Sequence, residues 1–128
     1  MIKKFFITLV VVFIAIGTVS AQTVKQLKST EIQQILTNNK AIIVLDVRTA
    51  EEFAAGHLKN AINIDIRKPG FYSEIDKLNK KKTYMVYCRT NHRSGMAVEY
   101  MKQKGFGTIY QMMDGFPGWA ANNFTFEK

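Results

Sequence analysis

One cysteine in 128 residues, Cys88, excludes a disulfide-stapled framework and any cysteine-cluster metal site. Two histidines leave little for metal binding of other kinds, and neither a metal nor an organic cofactor is expected. Two prolines and eight glycines are too few for a turn-dominated or collagen-like chain. No apolar run reaches the ~20 residues that a bilayer-spanning helix wants. What is present is ordinary globular composition, 47% hydrophobic and 22% charged, in a length that suits one domain. A formal net charge of +8 makes nucleic acid, membrane surfaces and small anions the partners to weigh.

The N-terminus has the pattern of a secretory signal peptide over residues 1–21. Lys3 and Lys4 form a basic start, and Phe5 to Gly17 is apolar except for Thr8. Small residues follow, with Val19 and Ala21 at the −3 and −1 places of a cut before Gln22. The expectation is export to a periplasm or beyond, with no membrane contact after cleavage; an uncleaved anchor is the alternative. The chain has 18 Lys and Arg, and cleavage removes Lys3 and Lys4. The mature 107 residues then hold 16 basic against 10 acidic side chains, a net +6. An unpaired cysteine in an exported chain is a free reactive thiol or half of an intermolecular bridge.

Strand and helix patterns alternate along the rest. Thr30-Glu31-Ile32-Gln33 fits a capping box opening a helix that ends at Asn38-Asn39. Ala41 to Val47 is a continuous β-branched apolar run, the mark of a strand buried on both faces, with Asp46 near its C-terminal end. Thr49 to Glu52 is a second capping box, and Gly56 is a natural stop for its short helix. Ile62, Ile64 and Ile66 alternate as in a strand. Phe71, Ile75 and Leu78 form a helical stripe, and Lys80 to Lys82 a solvated turn. Thr83 to Tyr87 is a strand ending at Cys88. A helix is expected from Ser94 to Lys104, with Val98 and Met101 inward and Gly105 as its C′ residue. Thr108 to Met112 is a last strand. This order predicts an α/β fold, with a mostly parallel central sheet covered by helices on both faces.

The segment Cys88-Arg89-Thr90-Asn91-His92-Arg93-Ser94 runs from a buried strand directly into a helix. Ligands bind at the carboxyl ends of strands in such sheets. Backbone N–H groups of the loop, the helix N-terminus and the charges of Arg89 and Arg93 all favour a negative sulfur, and the thiolate is the nucleophilic form. The competing reading is a buried, inert core thiol, which five following polar or basic residues disfavour. Arg89 and Arg93 do not make a nucleic-acid patch, because no aromatic residues are interleaved with a long basic stripe.

Three stretches together resemble a single-domain rhodanese, over residues 30–126. Leu45-Asp46-Val47-Arg48 with Glu51-Glu52-Phe53, Gly56-His57-Leu58 and Asn60 to Ile64 is similar to that family's N-terminal signature. Tyr87 to Ser94 is similar to its active-site loop, and Asp114-Gly115-Phe116-Pro117-Gly118-Trp119 to its C-terminal signature. The family's loop often has Gly where Asn91 stands, a residue that tolerates positive φ, and another Gly is common where Asp114 stands.

The resemblance implies a rhodanese-like three-layer fold and sulfur transfer. The Cys88 thiolate takes a sulfane sulfur from a small anionic donor such as thiosulfate, holds it as a persulfide, and passes it to cyanide or a thiol. Arg89, Thr90, Asn91, His92, Arg93 and Ser94 are the expected substrate-binding residues. Asp46 and Arg48 are expected to pair with each other or to brace the loop. His57 is expected to be structural, His92 to tune substrate preference or face solvent, and Phe116 and Trp119 to pack the core or wall a pocket. Protein tyrosine phosphatases place five residues between Cys and Arg; here Cys88 and Arg93 enclose four, a tighter ring that suits one bound sulfur better than a phosphate. A non-enzymatic sulfur-carrier or binding module is the alternative from a different class.

Overall fold

The computed structural model describes residues 2–5, 7–17 and 21–128. Among the described residues, five strands and five helices alternate strictly: β1 (Thr23–Leu27), α1 (Ser29–Asn38), β2 (Ile43–Asp46), α2 (Ala50–Ala55), β3 (Ile62–Asn63), α3 (Phe71–Asp76), β4 (Tyr84–Tyr87), α4 (His92–Gln103), β5 (Thr108–Met112) and α5 (Gly115–Ala121). One sheet holds all five strands in the order β1-β5-β4-β2-β3, and every pairing is parallel. Each crossover therefore carries a helix, as parallel pairing demands.

Period-two alternation divides the strands between two cores. Leu45, Val86 and Ile109 face one side, with Phe71 and Ile75 of α3 and Ala97, Val98 and Met101 of α4. Val44, Met85, Tyr87 and Met112 face the other, with Ile32 of α1 and Trp119 of α5. The expected three-layer α/β architecture is what forms. The Phe71/Ile75 stripe and the inward Val98 and Met101 lie as their spacing required. Gly105 has φ +85, the left-handed stop that glycine supplies.

Two elements were not expected. β1 precedes the Thr30 capping box and runs along β5, from Thr23 beside Thr108 to Leu27 beside Met112. Its burial pattern is almost wholly exposed, so it carries no apolar signal. α5 contains Gly115, Pro117 and Gly118, residues that read as a turn. Pro117 falls in the first turn, where its missing N–H costs nothing.

The start of α1 also differs. Its N-cap is Lys28, and Thr30 lies inside the helix rather than capping it. The cap comes from a distance instead: Asp114 Oδ1 accepts from Ser29 N at 2.8 Å, and Oδ2 accepts from the Ser29 hydroxyl at 2.6 Å. A carboxylate at a helix N-terminus satisfies an otherwise orphaned N–H and suits the helix dipole. The Thr49 capping box forms as expected, with Thr49 Oγ1 accepting from Glu52 N. Of the Ile62–Ile66 alternation only Ile62–Asn63 pairs as strand.

In residues 2–17, the described apolar side chains are exposed, Phe5 at 90% and Phe13 at 93%, and contribute nothing to either core. Among the described residues, no helix is long and apolar enough to cross a membrane. Val19, at the −3 place of the expected cleavage site, lies outside the described residues.

Candidate active site

The site forms where the two middle strands end. Asp46 closes β2 and lies opposite Tyr87 in register, so Cys88 emerges beside Asp46 at the carboxyl edge of the sheet. Cys88, Arg89, Thr90 and Asn91 make the turn, and α4 begins at His92, two residues ahead of the Ser94 start expected. Asn91 is the N-cap with φ −142, so the turn needs no positive φ there. The tolerance of asparagine for that region is used elsewhere, at Asn60 and Asn123.

Cys88 is fully buried. Its sulfur faces Ser94, which donates its backbone N–H at 3.3 Å and sets its hydroxyl oxygen at 3.5 Å. Both groups belong to the first turn of the 12-residue α4, whose positive end therefore points at the sulfur. Arg89, Thr90 and His92 are exposed around the turn.

Arg93 is not a free anion-binding group. Its Nη1 and Nη2 donate to Glu52 Oε1 and Oε2 at 2.7 and 2.9 Å, a two-pronged pair that ties α4 to α2. Hydrogen bonds from Arg93, helped by the Thr49 N–H, pull the Glu52 carboxyl down to about 2. The same Glu52 bonds push the Arg93 guanidinium up. Arg89 makes no ion pair among the described residues and is the cation left for a ligand.

Asp46 and Arg48 pair with each other. Arg48 Nε and Nη2 donate to the Asp46 carboxylate at 3.0 and 2.7 Å, and Nη2 also donates to the Gly56 carbonyl at 2.6 Å. The guanidinium lies over Phe116, 4.5 Å from its ring centroid. Burial opposes the charge of Arg48, but the Asp46 bonds outweigh it and the guanidinium is held protonated. Burial, and next the Asp46 charge, push the Tyr87 phenol well up. Its hydroxyl accepts from Leu58 N at 3.1 Å, so Tyr87 stays neutral and structural. His57 stacks on Phe53 at 3.7 Å, its Nδ1 lies 2.9 Å from the Phe53 carbonyl, and its backbone bridges to Glu127; the role is structural, as expected.

Two contacts hold the loop from the C-terminal side. Phe116 N donates to the Cys88 carbonyl at 2.9 Å. Gly115, at φ +63, lies so close that a Cβ there would overlap the Arg89 carbonyl. Sequence reading missed Glu52 as a partner of Arg93, because the capping box already accounted for it. It also missed Gln111, a buried amide on β5 that donates to Ser94 Oγ at 2.9 Å and to the Asn91 carbonyl at 3.0 Å. Its signal was available: position 111 shares the inward face of Ile109, where a polar residue needs a partner.

A family profile described as the rhodanese-like domain matches residues 20–122. A thiosulfate sulfurtransferase (GlpE) of Coxiella burnetii is 30% identical over 90 residues, 70% of this chain and 82% of that protein. A sulfurtransferase of Allochromatium vinosum is 30% identical over 98 residues, 76% of this chain and 89% of that protein. The crystal structure of a rhodanese-related protein from Thermoplasma volcanium superposes with a TM-score of 0.66 at 28% identity, covering 80% of this chain and 97% of that one. The parallel sheet, the Cys88 loop at its carboxyl edge and these matches agree, and the chain belongs to the rhodanese-like domain family.

Proposed function

We propose that this protein is a sulfurtransferase that carries a sulfane sulfur on Cys88, from a small anionic donor such as thiosulfate to cyanide or a thiol. The observation that carries the reading is the Cys88 sulfur set against the Ser94 N–H at the positive end of α4. Those groups stabilise negative charge on sulfur and so favour the attacking form. The Cys88 thiolate attacks the outer sulfur of thiosulfate, a new S–S bond forms, and the old S–S bond breaks with its electron pair leaving on sulfite. The acceptor's nucleophile then takes the terminal sulfur, and the Cys88 thiolate returns. Arg89 attracts the anionic donor and offsets charge on the leaving sulfite. Arg93, spent on Glu52, fixes the first turn of α4 and so the position of the Ser94 N–H. Export of the mature chain, residues 22–128, is part of the same proposal and rests on the signal-peptide pattern.

The scheme predicts ping-pong kinetics with thiosulfate and cyanide. Initial rates at several fixed cyanide concentrations should give parallel double-reciprocal lines, and Cys88→Ser should fall to background. Intersecting lines or an active serine variant would sink the mechanism. Release of phosphate from an aryl phosphate would point to the phosphatase chemistry that the four-residue spacing disfavours.

Full burial of Cys88 favours a second reading, a sulfur-carrier or binding module whose cysteine is loaded only by a docked protein. A putative sulfur carrier protein of Bacillus subtilis, 23% identical over 100 residues, is among the relatives. Turnover with free thiosulfate separates the two.

A further inference from the structure

The geometry points to Gln111 as a positioning residue for the Cys88 sulfur: its amide directs the Ser94 hydroxyl proton toward Cys88. This rests on the reading of Cys88 as the reactive sulfur.

Gln111 is 2% exposed, and all of its hydrogen-bonding groups are engaged. Its Nε2 carries two N–H groups. One goes to the Asn91 carbonyl at 3.0 Å and the other to Ser94 Oγ at 2.9 Å. The way round of the amide is fixed by the Asn91 carbonyl, which can only accept, and Gln26 of β1 then donates from Nε2 to Gln111 Oε1 at 3.3 Å. A reversed amide would aim its oxygen at the Asn91 carbonyl oxygen, two acceptors with no hydrogen between them.

The consequence falls on Ser94. With Cys88 as a thiol, its S–H donates to Ser94 Oγ at 3.5 Å and the Ser94 hydroxyl donates to the Asn91 carbonyl at 3.3 Å; the ionised sulfur becomes a second acceptor for that hydroxyl hydrogen. The Asn91 carbonyl has two lone pairs, and two donors already fill them: Gly95 N at 2.9 Å and Gln111 Nε2. A third donor there gains little. Gln111 also occupies one lone pair of the Ser94 oxygen, which leaves that oxygen less able to accept the thiol proton. Once the sulfur is ionised, the hydroxyl hydrogen turns to it and joins the Ser94 N–H at 3.3 Å. The backbone donor survives any substitution. The hydroxyl donor depends on Gln111, because without the amide the Asn91 carbonyl competes for the proton.

The test is the rate of Cys88 alkylation by iodoacetamide against pH, in the wild type, Gln111→Met, Ser94→Ala and the double variant. Cys88 is the chain's one thiol, so the label reports it alone. Met fills the space of Gln without its amide. Gln111→Met and Ser94→Ala should each react about fivefold more slowly near neutral pH, the worth of roughly one net hydrogen bond, and as fast as the wild type at alkaline pH where every thiol is ionised. The double variant should be no slower than either single one, since both remove the same donor. A loop that had merely loosened would expose the sulfur and react faster at every pH. That result, or equal rates near neutrality, would overturn the assignment of Gln111. A wild-type thiol inert across the whole range would instead strike at Cys88 as the reactive sulfur, and this inference would fall with it.

Discussion

At the scale of single residues, four positions near the loop, Asp46, Arg48, Glu52 and Gly115, carry measurable consequences. Asp46 and Arg48 form a buried ion pair, their side chains 0% and 5% exposed. Removing one partner strands the other charge, so Asp46→Asn or Arg48→Met should cost about 3–5 kcal/mol in urea unfolding. A loss below about 1 kcal/mol would mean that water reaches the pair. Glu52 gives a pH signature. Its folded value of about 2 lies below the ordinary 4.5, so its stabilisation is complete above about pH 5 and disappears as pH falls through about 2. The unfolding midpoint of Glu52→Gln should therefore lie below the wild type's at neutral pH and converge with it toward pH 2. A gap that persists unchanged in acid would rule out the Arg93 pair as its source. Gly115 has both a positive φ and the Arg89 carbonyl against it. Gly115→Ala should destabilise by at least about 1–2 kcal/mol through backbone strain and should displace the loop, lowering turnover further than stability alone explains. Wild-type turnover in that variant would show that the loop tolerates the shift.

At the scale of elements, legibility followed the physical origin of each signal. β2 and β4 are buried on both faces, so their continuous apolar runs marked them. α3 and α4 were readable from a helical stripe, and α2 from a cap whose two partners are three residues apart. β1 was hidden because it is an edge strand exposed along nearly its whole length, held by backbone bonds to β5 that no side-chain pattern records. α5 was hidden because Gly118 is needed where a Cβ would overlap Asp114, and turn residues result. The start of α1 was misplaced because its cap, Asp114, is 85 positions away in sequence. The site divides the same way. Cys88 and its loop were legible as a local string, whereas the Arg93–Glu52 and Ser94–Gln111 contacts join separate elements. β1 also yields a test. Deleting residues 1–21 should leave the unfolding midpoint unchanged, since no described residue there enters a core. Deleting 1–27 exposes β5 and takes away Gln26, and should lower the midpoint clearly. Equal midpoints for the two truncations would make β1 dispensable.

At the scale of the whole molecule, a parallel sheet with two cores presents one reactive loop at its carboxyl edge. Among the described residues, all ten elements lie within residues 22–128, the part that the proposed cleavage would leave. The proposed chemistry asks of this domain one cysteine, a helix end and an arginine without an ion pair among the described residues. The measurement closest to that claim is the intact mass of residues 22–128 after incubation with thiosulfate and removal of the excess, with Cys88→Ser alongside. The account predicts a gain of one sulfur atom that cyanide removes and that the serine variant lacks. An unchanged mass, with Cys88 still open to alkylation, would contradict transfer from thiosulfate and leave the carrier reading in its place.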